Sequence, residues 1–241
     1  MKASLMITCL GDALYPSVGV AAVKVLEALG VEVDFPAGQV CCGQPAFNSG
    51  YRDEARTSAR AYLRAFAGSE HVVSISGSCA AMVREHYPVL FEGRPEHEAA
   101  RALARRTYEF SQFLVDVLGV TDLPVRYPAR ATFHHSCHTR RLLGVVDQPE
   151  RLLGMIDGLE CVPLPRAEEC CGFGGTFSVK MPHISSSLVD DKVDHVLETG
   201  AGLLLGLDMS CLMNIGGRLT RRGADVRVKH LAEVLADGWQ G

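Results

Sequence analysis

The sequence predicts an α/β protein made of two pseudo-symmetric copies of a mostly parallel-sheet, Rossmann-like unit, with cysteines on loops at the carboxyl ends of strands. Three observations carry that expectation. One cysteine pattern occurs twice: Cys9, the pair Cys41-Cys42 followed by Gly43, and Cys79; then Cys137, the pair Cys170-Cys171 followed by Gly172, and Cys211. The first gap is 32 residues in one copy and 33 in the other, and the last is 37 and 40. A short apolar run precedes each cysteine position, and helical stripes fill the gaps between them.

Taken in order, residues 3–8 and 131–136 read as the first strand of each copy, ending at Cys9 and Cys137. Val18, Ala22, Val25, Leu26 and Leu29 then recur at helical spacing, with Ser17 as the expected cap; Asp147, Pro149 and Glu150 open the matching helix. Residues 31–35 and 159–164 form β-prone runs leading to Pro36 and Pro165, each five residues before its cysteine pair. After each pair a second helix follows. Ala55, Ala59, Tyr62, Leu63 and Phe66 make one stripe, and Val189, Val193, Val196 and Leu197 the other. Residues 71–76 and 203–209 supply the third strands, and a strand plus helix closes each half at 108–118 and 226–235. Residues 92–106 are polar and read as helical. Residues 119–131, with Pro124 and Pro128, read as the connector, so the copies divide into 1–121 and 122–241.

Composition excludes several classes. The 241 residues are 47% hydrophobic and 22% charged with net charge −4, an ordinary globular balance without the basic excess that nucleic acid attracts. No run reaches the roughly 18 apolar residues of a membrane span; the best candidate, 18–33, contains Lys24, Glu27 and Glu32. The apolar stretch after Lys2 is cut short by Asp12 and offers no cleavage site, so a cytoplasmic chain is expected. There, cysteines serve as ligands or redox thiols rather than as structural disulfides.

Ligands of open parallel sheets bind beyond the carboxyl ends of the strands. Every patterned cysteine follows a predicted strand, so Cys9, Cys41, Cys42 and Cys79 should gather at one edge, and Cys137, Cys170, Cys171 and Cys211 at another. Neighbouring side chains of an extended segment point to opposite faces. Both members of a vicinal pair reach one centre only if the backbone turns sharply, which Gly43 and Gly172 permit. Four thiolates suit tetrahedral zinc or an iron–sulfur cluster. Ligands from three distant loops fit the bulkier cluster better than two close Cys-x-x-Cys knuckles would. The freed backbone N–H groups are then placed to hydrogen-bond sulfur.

The repeated Cys…Cys-Cys-Gly…Cys layout resembles the cysteine-rich CCG domain of heterodisulfide reductases and of glycolate oxidase iron–sulfur proteins. Thr8-Cys9-Leu10-Gly11-Asp12, Cys41-Cys42-Gly43-Gln44-Pro45, the segment from Cys170 through Gly172-Phe173-Gly174-Gly175 to Met181, and Asp208-Met209-Ser210-Cys211 are similar to the lactate utilisation protein A family. The resemblance covers nearly the whole chain. It implies one or two iron–sulfur clusters on the eight cysteines and a role in oxidising L-lactate to pyruvate. It also implies a ferredoxin-type iron–sulfur subunit and a third companion subunit as partners. In the broader family each motif ends Cys-x-x-Cys, whereas here Met82 and Asn214 occupy the final positions. Four cysteines per half fit a 4Fe–4S cubane better than a five-cysteine cluster. Two alternatives stay open: a zinc-stabilised structural subunit of the same complex, and a thiol–disulfide oxidoreductase like the heterodisulfide reductases.

Other residues have plainer readings. His134, His135 and His138 flank Cys137 and are expected to make hydrogen bonds around the site or to face solvent, rather than to move protons. The resemblance implies histidines at the positions of His134 and His138. His230 is expected to cap the closing helix. Arg52, Arg56, Arg60 and Arg64 form a basic stripe read as a solvated helix face. Lys180 and Arg140 are weak candidates for holding a lactate carboxylate, and Cys161, at a strand position matched to Glu32, is expected to be a buried core thiol. Gly172-Phe173-Gly174-Gly175 lacks the glycine order of a dinucleotide fingerprint.

Overall fold

A computed structural model describes residues 1–241. Strands β1 (Lys2–Met6), β2 (Glu32–Asp34), β3 (Val72–Ser74) and β4 (Thr107–Glu109) form one sheet in the order β2-β1-β3-β4. Strands β5 (Arg126–His134), β6 (Asp157–Val162), β7 (Leu203–Gly206) and β8 (Arg227–His230) repeat that order as β6-β5-β7-β8. All six ladders are parallel. In each sheet the chain steps outward from β1 or β5 to one side and then to the other. The loops leaving adjacent strands therefore diverge, and a crevice opens at their carboxyl ends.

Three of the cysteine-bearing loops turn at once into helices with side-chain caps. β1 stops at Met6 because the Thr8 side chain accepts from Gly11 N–H at 3.1 Å and starts the helix Cys9–Leu14. Ser76 caps Gly77–Ala81 through Cys79 N–H, and Asp208 caps Met209–Arg221 through Ser210 N–H. The strands are accordingly shorter than the apolar runs that announce them. At the other end β5 starts at Arg126, inside the expected connector, and absorbs Pro128 in a register shift between Arg126 and Ala129. Proline is tolerated at such a bulge because no ladder N–H is needed there.

Other expectations shift in detail. The first helix begins at Pro16, whose fixed φ suits the first helical position, so Ser17 is not the cap. Its hydroxyl donates to Glu233 Oε1 at 2.9 Å. Leu197 is 40% exposed and lies off the buried stripe of Val189, Val193 and Val196. Of residues 92–106 only His97–Arg105 is helical. Cys161 is exposed, because β6 is an edge strand, and it pairs opposite Ala131 just as Val33, not Glu32, pairs opposite Ala3.

One apolar core runs through both halves, from Leu5, Val25, Ile75 and Phe110 to Phe133, Leu152, Leu205 and Leu235. The seam repeats itself under a pseudo-two-fold. Pro16–Ala28 packs on Leu231–Asp237 much as Asp147–Gly154 packs on Phe110–Gln112, and Gly77–Ala81 meets Cys137–Arg141 as Met209–Arg221 meets Cys9–Leu14. The approach is closest at Gly77, where a Cβ would stand 1.7 Å from Thr139 Oγ1. No other residue fits there.

Candidate metal centre at the seam

Each cysteine set closes into a chain of touching sulfurs. In the first half Cys9 hydrogen-bonds Cys41, Cys41 hydrogen-bonds Cys42, and Cys42 Sγ lies 3.4 Å from Cys79 Sγ. In the second, Cys137 contacts Cys170, Cys170 contacts Cys171, and Cys171 contacts Cys211. The structure thus brings together all eight cysteines singled out in the sequence, in two sets of four.

The vicinal pairs owe their reach to left-handed glycines. Gly43 and Gly172 have φ of +84° and +82°. A side chain on Gly172 would collide with Ser185 O at 2.5 Å. The turn aims Gly172 N–H at Cys170 Sγ, 3.3 Å away, and Gly43 N–H serves Cys41 likewise. The neighbouring thiols and this N–H stabilise charge on the first cysteine of each pair. Cys41, held by Cys42 and Cys9, and Cys170, held by Cys137 and Cys171, lie far below the usual thiol range. The donor thiols Cys9, Cys42, Cys137 and Cys171 are pushed up in return, by hydrogen bonding first and burial second. Each nest is therefore a set of soft sulfur donors in which negative charge is favoured at the first cysteine of the pair, the chemistry that thiophilic metals select.

Both nests open on one cleft. A cavity of about 120 Å³ is lined by all eight cysteines, together with Ser76, Asp208 and His138. Asp208 lies at its floor. Burial opposes its charge, but the hydroxyls of Ser210, Ser78 and Ser76 and the Ser78 N–H outweigh that and hold its carboxyl below the ordinary value. The second cysteine of each pair is anchored through its carbonyl. Tyr87 OH donates to Cys42 O at 2.9 Å, and Asn214 Nδ2 donates to Cys171 O at 2.8 Å. Asn214, noticed in the sequence only as a missing cysteine, thus has a structural task.

The surrounding residues break the symmetry. Where β1 ends in buried Met6, β5 ends in buried His134. Its ring nitrogens have no hydrogen-bond partner, and it groups with the Cys171 and Cys211 sulfurs, the three ligand atoms all within 4.8 Å of one another. Burial drives its pKa down to about 3, so the imidazole is neutral. His138 Nδ1 lies 3.4 Å from Cys137 Sγ, whereas His135 turns away onto the Phe133 ring. Lys192, fully buried, donates to Arg166 O at 2.6 Å behind the second nest. Sequence periodicity gave no sign of Lys192, because it occupies an apolar stripe position.

The remaining candidates lie elsewhere. His230 caps its helix as expected, its Nδ1 accepting from Ala232 N–H, and its Nε2–H donates across the seam to Ile75 O at 3.1 Å. Arg56 binds Asp53 and Leu90 O, Arg60 binds Glu96, and Arg52 stacks on Phe47, so the basic stripe is largely engaged within the chain. Neither Lys180 nor Arg140 lines the cleft. No helix is long and apolar enough to cross a membrane.

Comparison with known proteins gives a consistent picture. The cysteine-rich CCG domain matches residues 4–84 and 131–216. Lactate utilization protein A of Geobacillus kaustophilus (strain HTA426) is 57% identical over 98% of both chains. Lactate utilization protein A 2 of Bacillus cereus (strain 03BB102) is 51% identical over 99% of both. Among solved structures, a hypothetical protein from Helicobacter pylori aligns with the whole chain at a TM-score of 0.68 and 9% identity. The chain spans about half of that protein (49%), and the likeness is one of fold.

Proposed function

The chain belongs to the cysteine-rich CCG domain family, in the group of the lactate utilization A proteins, and on that premise we propose that it is an iron–sulfur electron-transfer subunit of an L-lactate oxidising complex. The observation that carries the reading is the pair of four-sulfur nests facing one cleft. Cys9, Cys41, Cys42 and Cys79 would hold one 4Fe–4S cluster, and Cys137, Cys170, Cys171 and Cys211 a second, in copies dividing at 121/122. Such clusters supply one-electron storage between lactate and an acceptor. The chain's own residues fix the sulfurs: helix caps at Thr8, Ser76 and Asp208 set Cys9, Cys79 and Cys211, and Tyr87 and Asn214 hold Cys42 and Cys171 through their carbonyls. The glycine N–H groups donate to sulfur, which favours the reduced state. A ferredoxin-type subunit and a third companion, in the cytoplasm, complete the complex in this reading.

Iron and sulfide analysis of anaerobically prepared protein tests it. Four irons per occupied nest and absorption near 400 nm, bleached by lactate in the assembled complex, are expected. Iron-free protein in an intact, active complex would defeat the proposal. Zinc is the second reading, favoured by one distance. The 3.4 Å between Cys42 and Cys79 sulfurs is near the ~3.8 Å edge of a tetrahedron with ~2.3 Å zinc–sulfur bonds. A zinc protein would be colourless.

A further inference from the structure

We propose that His134 supplies a nitrogen donor to the metal centre of the second nest, so that the two centres of this chain are chemically unequal. The inference rests on the reading of the nests as metal sites and amends it in the second, where the His134 nitrogen would take the place of one of the four cysteine thiolates. A neutral imidazole carries one N–H donor and one acceptor nitrogen. Buried polar atoms in folded proteins are nearly always partnered, because an empty one forfeits its hydration without replacement. His134 is 1% exposed, yet both of its nitrogens are without a protein partner.

Its placement explains what the nitrogens are for. His134 is the last residue of β5, in register with Gly206, so the ring stands where the strands end and the cysteine loops begin. Its ligand atom and the Cys171 and Cys211 sulfurs lie within 4.8 Å of one another. A metal centre bound beside them would use an atom that nothing else in the structure satisfies. The first half offers no such group. There, Met6 ends β1, buried in the apolar cluster with Cys42 and Cys79. The sulfur–sulfur contacts of the two nests are alike, and the second half alone adds imidazoles, His134 with free nitrogens and His138 against Cys137 Sγ.

An imidazole that takes the place of one thiolate removes negative charge from an iron–sulfur centre and raises its potential. With clusters in both nests, the second would therefore be the stronger electron acceptor of the two.

Pulsed EPR of the reduced, iron-loaded protein tests the assignment, with 15N-histidine labelling to identify the nitrogen. We expect an imidazole nitrogen coupling on one centre of the wild type, which needs no variant to observe. In His134→Met, which copies the first half, the coupling should vanish and the higher midpoint potential should fall towards the lower. In Met6→His a second coupling should arise. Iron present without any histidine coupling overturns the inference and leaves the iron–sulfur reading standing. If the metal is zinc, X-ray absorption should show a nitrogen scatterer that His134→Met removes, and an all-sulfur shell overturns the inference equally. Protein that binds neither metal sinks both proposals.

Discussion

Asp208 reaches across the seam between the halves and accepts a hydrogen bond from the Ser76 hydroxyl at 2.8 Å. The two residues hold corresponding positions, three before the last cysteine of each set. Asp208 also accepts from Ser78 N–H at 3.0 Å and from Ser210 N–H at 3.1 Å. A single buried carboxylate thus caps one cysteine-bearing helix and tethers the other.

Asp208→Ala should therefore destabilise the fold by on the order of 3 kcal/mol, since it strips a charged acceptor from several donors. Ser76→Ala, which removes one of them, should cost about 1 kcal/mol. Because the folded carboxyl titrates below its ordinary value, its contribution is present above that value and is lost as pH falls through the folded one. Guanidinium melts carried below pH 3.8, the ordinary value, should show the parent converging on the alanine variant, with their difference unchanged between pH 7 and that value. A deficit independent of pH would contradict this.

Gly77→Ala should force the seam apart, because its methyl group lands on the Thr139 side chain. Thr139→Ala alone should be nearly neutral, since the Thr139 hydroxyl is buried without a partner. Combined, the two should recover part of the loss, with a coupling of about 1 kcal/mol or more in a double-mutant cycle. Strict additivity would mean that the contact is not what requires glycine.

Gly172 and Gly43 share a backbone conformation but not their clearance. A Cβ meets Ser185 O at 2.5 Å in one and Ala55 O at 3.1 Å in the other. Alanine at either site is strained by the positive φ, by about 1–2 kcal/mol. Gly172→Ala should melt several degrees lower than Gly43→Ala and should lose metal from the second nest first. Metal analysis beside thermal melting decides it; equal losses would argue against a steric origin.

Glu109 is fully buried, and burial raises its carboxyl from 4.5 to about 7 despite donors from Ser111 and Gln112. The folded state then binds more protons than the unfolded state between those values, so stability falls as pH rises through that window and levels off above it. The difference amounts to roughly 3 kcal/mol. Glu109→Gln keeps an acceptor for both donors and does not ionise. It should match the parent near pH 4 and exceed it at pH 8 in denaturant titrations. A parent as stable at pH 8 as at pH 5 would refute this.

The succession of strands and helices and the two cysteine sets were legible because they repeat. A pattern present twice reports residues constrained by one geometry, and the parallel-sheet rule sends them to one edge. What crosses between the copies left no periodic trace. Asp208 and Ser76 look like ordinary turn residues until the seam sets them face to face. Ser17 resembles a cap, but Pro16 already occupies the helix start and frees its hydroxyl for Glu233. Cys161 reads as apolar and proves exposed, because nothing in a short β-prone run tells an edge strand from a central one. His134 stands out beside Cys137 but reads as hydrogen-bonding or solvated; laid side by side, the second copy puts an imidazole where the first has a thioether at the end of a buried strand.

The pseudo-two-fold seam also bears on descent. A lone ancestral half, exposing the faces now hidden between Gly77–Ala81 and Cys137–Arg141, would have covered them by self-association, since the same surface serves both sides of a symmetric pair. Fusing two such genes would keep the dimer's architecture and release each copy from having to suit its twin. Met6 could then part from His134, and Ser76 from Asp208, without damage to the opposite side. What began as a homodimer with identical chambers would have become a single polypeptide with a front and a back.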